Sequence, residues 1–280
     1  MNTLLNNKFF VIFFAPFLLG VITIFSFSPY NFTFVNFFTF PILLFLIYLV
    51  KKRTQSVYRI KKSNRFFFYI GLSFGFGFFL FGNYWISISL THDEMFTNLI
   101  PFALILIPLF LSLFFGLAIL LVGRFCEKKI YFILLFSLAF SIFEYLRGNI
   151  FTGFPWNLIS YTWSSSSESI QILSLIGSYS LSLISLTFFC IPFLFLQKKI
   201  IRKNIIFFLF FLSLFTVNYF YGMYKISNSD YTFDQSINVK IISPNFSLKE
   251  YSTTSEFEQL KRLIQISEPE KETKKNKYFS

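Results

Sequence analysis

The sequence predicts a polytopic α-helical membrane protein of about seven transmembrane helices, followed by the start of a soluble α/β unit. Three observations predict the membrane part. Hydrophobic residues fill 55% of the 280 positions, the mean hydropathy is +0.62, and residues 9–50, 95–123 and 169–197 contain no Asp, Glu, Lys or Arg. An apolar run of about 20 residues crosses a bilayer core as a helix, because only a helix satisfies every backbone polar group within its own segment. A formal charge of +12 would suggest nucleic acid in a soluble protein. Here the basic residues sit in short loops between apolar runs and read as topology signals, so no nucleic-acid partner is expected. The 47 phenylalanines, with many Ile, Lys and Asn beside them, read as the coding bias of an AT-rich genome.

Spans are placed at 9–26, 32–50, 66–90, 98–122, 130–146, 170–196 and 204–222, within a transmembrane helical domain of residues 1–223. The first begins after Lys8, as a secretory signal would, but it lacks a small-residue cleavage site and runs on into Phe27-Ser-Pro-Tyr30. It reads as an uncleaved helix. Pro16, Pro41, Pro101 and Pro108 lie inside or at the starts of spans, where membrane helices tolerate them. In the third span Gly71 and Gly75 make a small-xxx-small pattern, with Gly77 beside it, and close helix packing is the expected use. The loops alternate in charge. Those at 51–65, 123–129 and 197–203 hold fourteen Lys and Arg, whereas 27–31, 91–97 and 147–169 hold only Arg147. By the positive-inside rule the first set is cytoplasmic, and the chain after residue 223 is delivered to the outer side.

The most informative segment is 144–161, where charge, glycine, proline and tryptophan interrupt an apolar chain. Glu144 and Arg147 share a helix face at i,i+3 spacing, and charges in or near a membrane are kept mainly when paired or used. The plainer reading is an ion pair that caps a helix. Cysteine and histidine say little. Cys126 falls in a cytoplasmic turn and Cys190 in the inner half of the sixth span, so neither a disulfide nor a nucleophilic role is expected. With one histidine, His92, beside Asp93 and Glu94 in a loop, no metal ligand set is expected, nor a cofactor.

After residue 223 the chemistry changes: eight of the thirteen acidic residues lie past Ser229. Residues 237–243 read as a strand closed by Pro244-Asn245. Ser255 to Glu258 fits a capping box, with Phe257, Leu260, Leu263 and Ile264 following at helical spacing. Residues 224–280 are therefore expected to begin a soluble domain, too short to be stable unaided.

Four blocks, Phe27-Ser-Pro-Tyr30, Gly75 to Ser89 with its Gly-Asn-Tyr-Trp core, Glu144-Tyr-Leu-Arg-Gly148 with Thr152-Gly-Phe-Pro-Trp156, and Ile241-Ile-Ser-Pro-Asn245, resemble the apolipoprotein N-acyltransferase family in order and spacing. The resemblance implies an inner-membrane enzyme that moves an acyl chain from a phospholipid to the N-terminal diacylglyceryl-cysteine of an apolipoprotein. It also implies that residues 224–280 begin a nitrilase-like (αββα) domain, whose Glu-Lys-Cys triad works through a thioester. None of the triad is expected within these residues, and the 280-residue chain alone is expected to be inactive. Ser267-Glu-Pro-Glu270 looks like the family's Trp-Pro-Glu context but lacks the tryptophan and follows a helix, and Glu250-Tyr251 stands where the family usually carries a tryptophan. The candidate lipid- and substrate-binding residues are Glu144, Arg147, Thr152, Gly153, Phe154, Pro155, Trp156 and Trp85. Two other readings stay open: a non-catalytic membrane protein such as a transporter subunit, for which Asn36 and Asn83 are almost the only amides deep in a span, and a membrane-anchored nitrilase-like amidase.

Overall fold

The structure, a computed structural model, describes residues 5, 7–54, 60–91, 94–196, 202–229, 241–246, 250 and 253–267. Among the described residues, six helical segments are long and apolar enough to cross a membrane. They contain α2 (Asn36–Arg53), α3 (Ile60–Asn83), α4 (Ile100–Val122), α5 (Ile130–Asn149), α6 (Leu173–Cys190) and α7 (Arg202–Ser227). The first predicted span is shorter. A π-helical turn, Phe10–Phe14, leads into an α-helix, Ala15–Ile24, and the two together form α1. At 1.5 Å per residue α1 reaches roughly 22 Å, less than a hydrocarbon core of about 30 Å, so the seventh span stays an expectation.

Two predicted spans change character partway. The third leaves the α-helix after Asn83 and continues as a 3-10 segment, Tyr84–Thr91. Its hydroxyls favour that tighter winding, since Ser87, Ser89 and Thr91 each donate to the carbonyl three residues back, at 2.6, 2.6 and 2.7 Å. The sixth is bent at Gly177, whose φ of 75° lies in the left-handed region, where a residue without Cβ is unstrained. It ends in a 3-10 segment, Ile191–Leu196.

The helices close a ring in the spatial order α1, α3, α4, α5, α6, α2, with α7 more thinly attached against α6 and its 3-10 extension. The glycines of α3 explain its position. A Cβ at Gly71 or Gly75 would strike the α4 backbone at Phe115 or Ser112, and one at Gly77 would strike the Phe17 carbonyl of α1. The small residues thus bring two neighbours into backbone contact on opposite faces, as the 71/75 spacing predicts for one of them. Aromatic rings fill the middle: Phe40 of α2, Phe74, Phe78 and Phe79 of α3, Phe115 of α4, Phe136 and Phe140 of α5 and Phe189 of α6 are fully buried. Phe115 alone has four of these rings within 6 Å, including Phe79 at 5.1 Å and Phe140 at 4.9 Å. Such tilted pairs add to area burial.

Beyond α7 the described chain is sparse. Residues 241–246 are irregular, so the last three positions of the predicted strand are not in a strand, and 237–240 lie outside the described residues. No strand occurs among the described residues. Isolated β-branched runs need a partner strand to hold their backbone groups. The predicted helix is present as α8 (Glu256–Ser267), capped as expected by the Glu258 amide on Ser255 Oγ at 3.3 Å, and it buries no residue. Ser267 ends α8, and 268–270, like His92 and Asp93, lie outside the described residues.

Candidate functional site: an aromatic ledge at the end of α5

Glu144 and Arg147 lie on the last turns of α5, both 1% exposed. They share a face, as i,i+3 spacing requires, but they do not pair with each other as Glu127 does with Lys51 and Lys129. Each turns instead to the loop that follows. Arg147 Nη1 donates to the carbonyl oxygens of Phe154 at 2.9 Å and Trp156 at 2.7 Å. Glu144 Oε1 accepts from the Ile159 amide at 3.0 Å. In place of the ion pair of the plainer reading there are two charge-assisted anchors, one on each half of a single loop. Charged partners make such bonds roughly twice as strong as neutral ones.

The loop backbone is built to meet these anchors. The Ile150 amide continues the helix onto Leu146 at 2.7 Å, and the Phe154 amide returns to the Arg147 carbonyl at 2.8 Å. Between them the chain reverses through Phe151 and Gly153, whose φ values are 60° and 74°. At Gly153 a Cβ would fall 2.5 Å from the Gly148 carbonyl oxygen, so glycine is required there by space as well as by dihedral. The remaining face of the Arg147 guanidinium lies over the Phe79 ring, 5.0 Å from its centroid, a cation–π contact inside the bundle.

The backbone of Trp156 is thus fixed from below while its ring stays out. Trp156 is 47% exposed and Trp85, on the 3-10 segment after α3, is 44% exposed, and their rings lie 6.0 Å apart. Phe154, half-buried, lies 6.5 Å from Trp156 and packs on the core. Thr152 and Pro155 are exposed on the same loop. The structure brings all eight candidate residues to one end of the bundle, with a division of labour. Glu144, Arg147 and Gly153 hold the loop, and Trp85, Thr152, Pro155 and Trp156 face outward.

Several residues at this end were not singled out from the sequence as part of the site. Asn157, at φ 54°, donates to Asn83 Oδ1 at 3.0 Å and so ties the tryptophan loop to the end of α3. The adjacency of Asn157 to Trp156, with Asn83 two residues before Trp85, was the available signal. Ser182 of α6 accepts from the Ser160 amide at 3.0 Å and its hydroxyl also reaches Glu144. Burial, then Tyr179, holds the Tyr161 phenol above the ordinary tyrosine range, so it is a neutral hydroxyl. The third tryptophan belongs to the core: Trp163 donates to Ser185 Oγ at 2.8 Å and stacks on Phe189 and Phe215.

The cysteines are both free and buried. Cys126 Sγ reaches the Leu44 carbonyl at 3.7 Å, and burial raises its pKa well above the ordinary thiol range. No cluster of three His, Cys, Asp or Glu side chains occurs among the described residues.

Fold and loop together define a polytopic helical membrane protein with an anchored aromatic ledge at one end of its bundle. The family profile described as "Apolipoprotein N-acyltransferase N-terminal domain" matches residues 19–191, which runs from the last turns of α1 through α6 and takes in the entire ledge. A curated relative named apolipoprotein N-acyltransferase, from Rickettsia prowazekii, is 34% identical over 229 residues, 81% of this chain and 43% of that protein. Relatives of the same name from Rickettsia typhi and Brucella melitensis are 35% and 30% identical, each over 82% of this chain and 43% of their own length. The chain belongs to the apolipoprotein N-acyltransferase family. It spans less than half the length of these relatives.

Proposed function

We propose that this chain is the membrane part of an enzyme that transfers an acyl chain from a phospholipid to the N-terminal diacylglyceryl-cysteine of an apolipoprotein in the bacterial inner membrane. The observation that carries the reading is the Trp85–Trp156 pair on its anchored loop. Both substrates are lipids whose reactive groups sit at headgroup level, and an indole ring is half apolar and half polar, suited to that depth. A ledge fixed by Arg147 and Glu144 would hold two lipid substrates in register without a large ordering cost at each turnover. Its residues include no cysteine. Acyl transfer through a thioester needs an accessible thiolate, and both cysteines here are buried, so the nucleophile is assigned to sequence outside residues 1–280, in a nitrilase-like domain on the outer side of the membrane.

The test is complementation. In a bacterium depleted of its own N-acyltransferase, the 280-residue chain should leave lipoproteins diacylated, and the full-length protein carrying this bundle should restore the N-acyl group, read by mass spectrometry of the terminal peptide. Failure of the full-length protein to restore it would favour the amidase or the transporter reading.

A further inference from the structure

At the other end of α5 from the ledge, roughly 30 Å away along 20 residues of helix, the helix ends flank a half-open cavity of about 1120 Å³. Five lysines line it: Lys51 and Lys52 from the last turn of α2, Lys128 and Lys129 just before α5, and Lys203 at the start of α7, with Glu127 as the one acid. Glu127 is committed to Lys129 at 2.8 Å and Lys51 at 3.7 Å. Lys128 Nζ donates to the Leu196 carbonyl at 2.8 Å and lies 4.9 Å from the Tyr48 ring centroid. Burial and the neighbouring Lys52 charge pull its pKa below the ordinary lysine range. The protein alone thus holds like charges together at a cost that an anion between them would relieve.

We propose that this cavity binds the phosphodiester headgroup of an anionic phospholipid, with the acyl chains leaving along α2. The charge asks for a phosphate-type anion. The remaining walls ask for a lipid one: Phe45, Leu49 and Ile130 are apolar, and Tyr48 and Tyr131 are amphipathic rings at the ends of spans, where headgroups lie. Basic pockets between transmembrane helices at a lysine-rich membrane face have this chemistry. The site is separate from the ledge and does not depend on the acyl-transfer reading.

The test titrates the full chain, purified in neutral detergent, with phosphatidylglycerol or phosphatidylcholine and reads bound lipid by native mass spectrometry. Phosphatidylglycerol should be retained in preference. The double variant Lys52→Gln/Lys128→Gln should weaken its retention by about 25-fold, near fivefold per lysine, with phosphatidylcholine unaffected. Lys261→Gln, on exposed α8, should change nothing. Glu127→Gln releases two lysines and should strengthen retention several-fold, which carries the test if the double variant does not fold. Equal retention of the two lipids, an unchanged response to both the double and the Glu127 variants, or an equal loss with Lys261→Gln would overturn the proposal. So would full displacement of phosphatidylglycerol by millimolar inorganic phosphate, which would make the site one for a free anion.

Discussion

Arg147 holds Trp156 by its backbone alone: the guanidinium donates to the Trp156 carbonyl oxygen at 2.7 Å from within the bundle, while the indole ring projects outward on the far side of the peptide. Position and contact are therefore separable by mutation. Arg147→Ala removes two charge-assisted bonds and leaves two loop carbonyls without a donor, a loss of about 2–3 kcal/mol at least. Thermal unfolding in detergent should show a clear fall in midpoint, and a protease should cut the 150–158 loop sooner. Arg147→Lys keeps the charge but not the planar fork, so it should fall between. An unchanged midpoint for Arg147→Ala would mean that the loop is held by something else.

Trp156→Ala should do the opposite, changing the unfolding free energy by no more than about 1 kcal/mol, because a half-exposed ring removes little burial. In the full-length protein it should sharply reduce acyl transfer. Trp85→Ala should act in the same direction, and the double variant should lose less than the sum of the two, since residues in contact do not add. Near-normal transfer in both single variants would reduce the ledge to a membrane anchor.

The basic loops make a topological prediction. A reporter active only in the cytoplasm should work when fused after Lys62 or Lys203 and fail after Glu94 or Glu250, because Lys and Arg in short loops stay on the cytoplasmic side. The lysine cavity would then face the cytoplasmic leaflet and the tryptophan ledge the outer one. Activity of the fusion at Glu250 would overturn the seven-span arrangement.

The spans were legible because a long charge-free run has one stable solution in a bilayer, so α2 to α7 lie where hydropathy puts them. Which face each helix turns inward was not legible. Phe102, Ile105 and Leu106 of α4 are exposed while Phe115 on the same helix is fully buried, and lipid asks for the same residue types as a protein core. The glycines were the exception, because backbone contact demands small residues on either side of an interface. At the site, spacing correctly put Glu144 and Arg147 on one face. It could not show that the next loop folds back over them and takes their hydrogen bonds, since those acceptors and donors are backbone groups that every residue carries. The Gly177 bend was hidden for a similar reason: a glycine in an apolar run reads equally well as packing.

The cysteines give a prediction that separates the bundle from the chemistry. Cys126 is packed against Leu44 and fully buried, and its thiol keeps its proton well above the ordinary range because burial disfavours the thiolate. With the folded pKa raised, the folded state binds more protons than the unfolded one once the pH passes the usual thiol value of about 8.5, so this group lowers stability as the pH rises above that point. Cys126→Ser should remove that part of the alkaline loss, read as the difference in unfolding midpoint between pH 7 and pH 10. A maleimide should modify neither cysteine in the folded protein and both after denaturation in dodecyl sulfate. In the full-length protein, Cys126→Ser and Cys190→Ser should each retain acyl transfer, since neither sulfur can be presented as a thiolate to a lipid. Loss of transfer with either variant at normal expression would put the nucleophile inside the bundle, and with it the reading that the bundle only holds the substrates would fail.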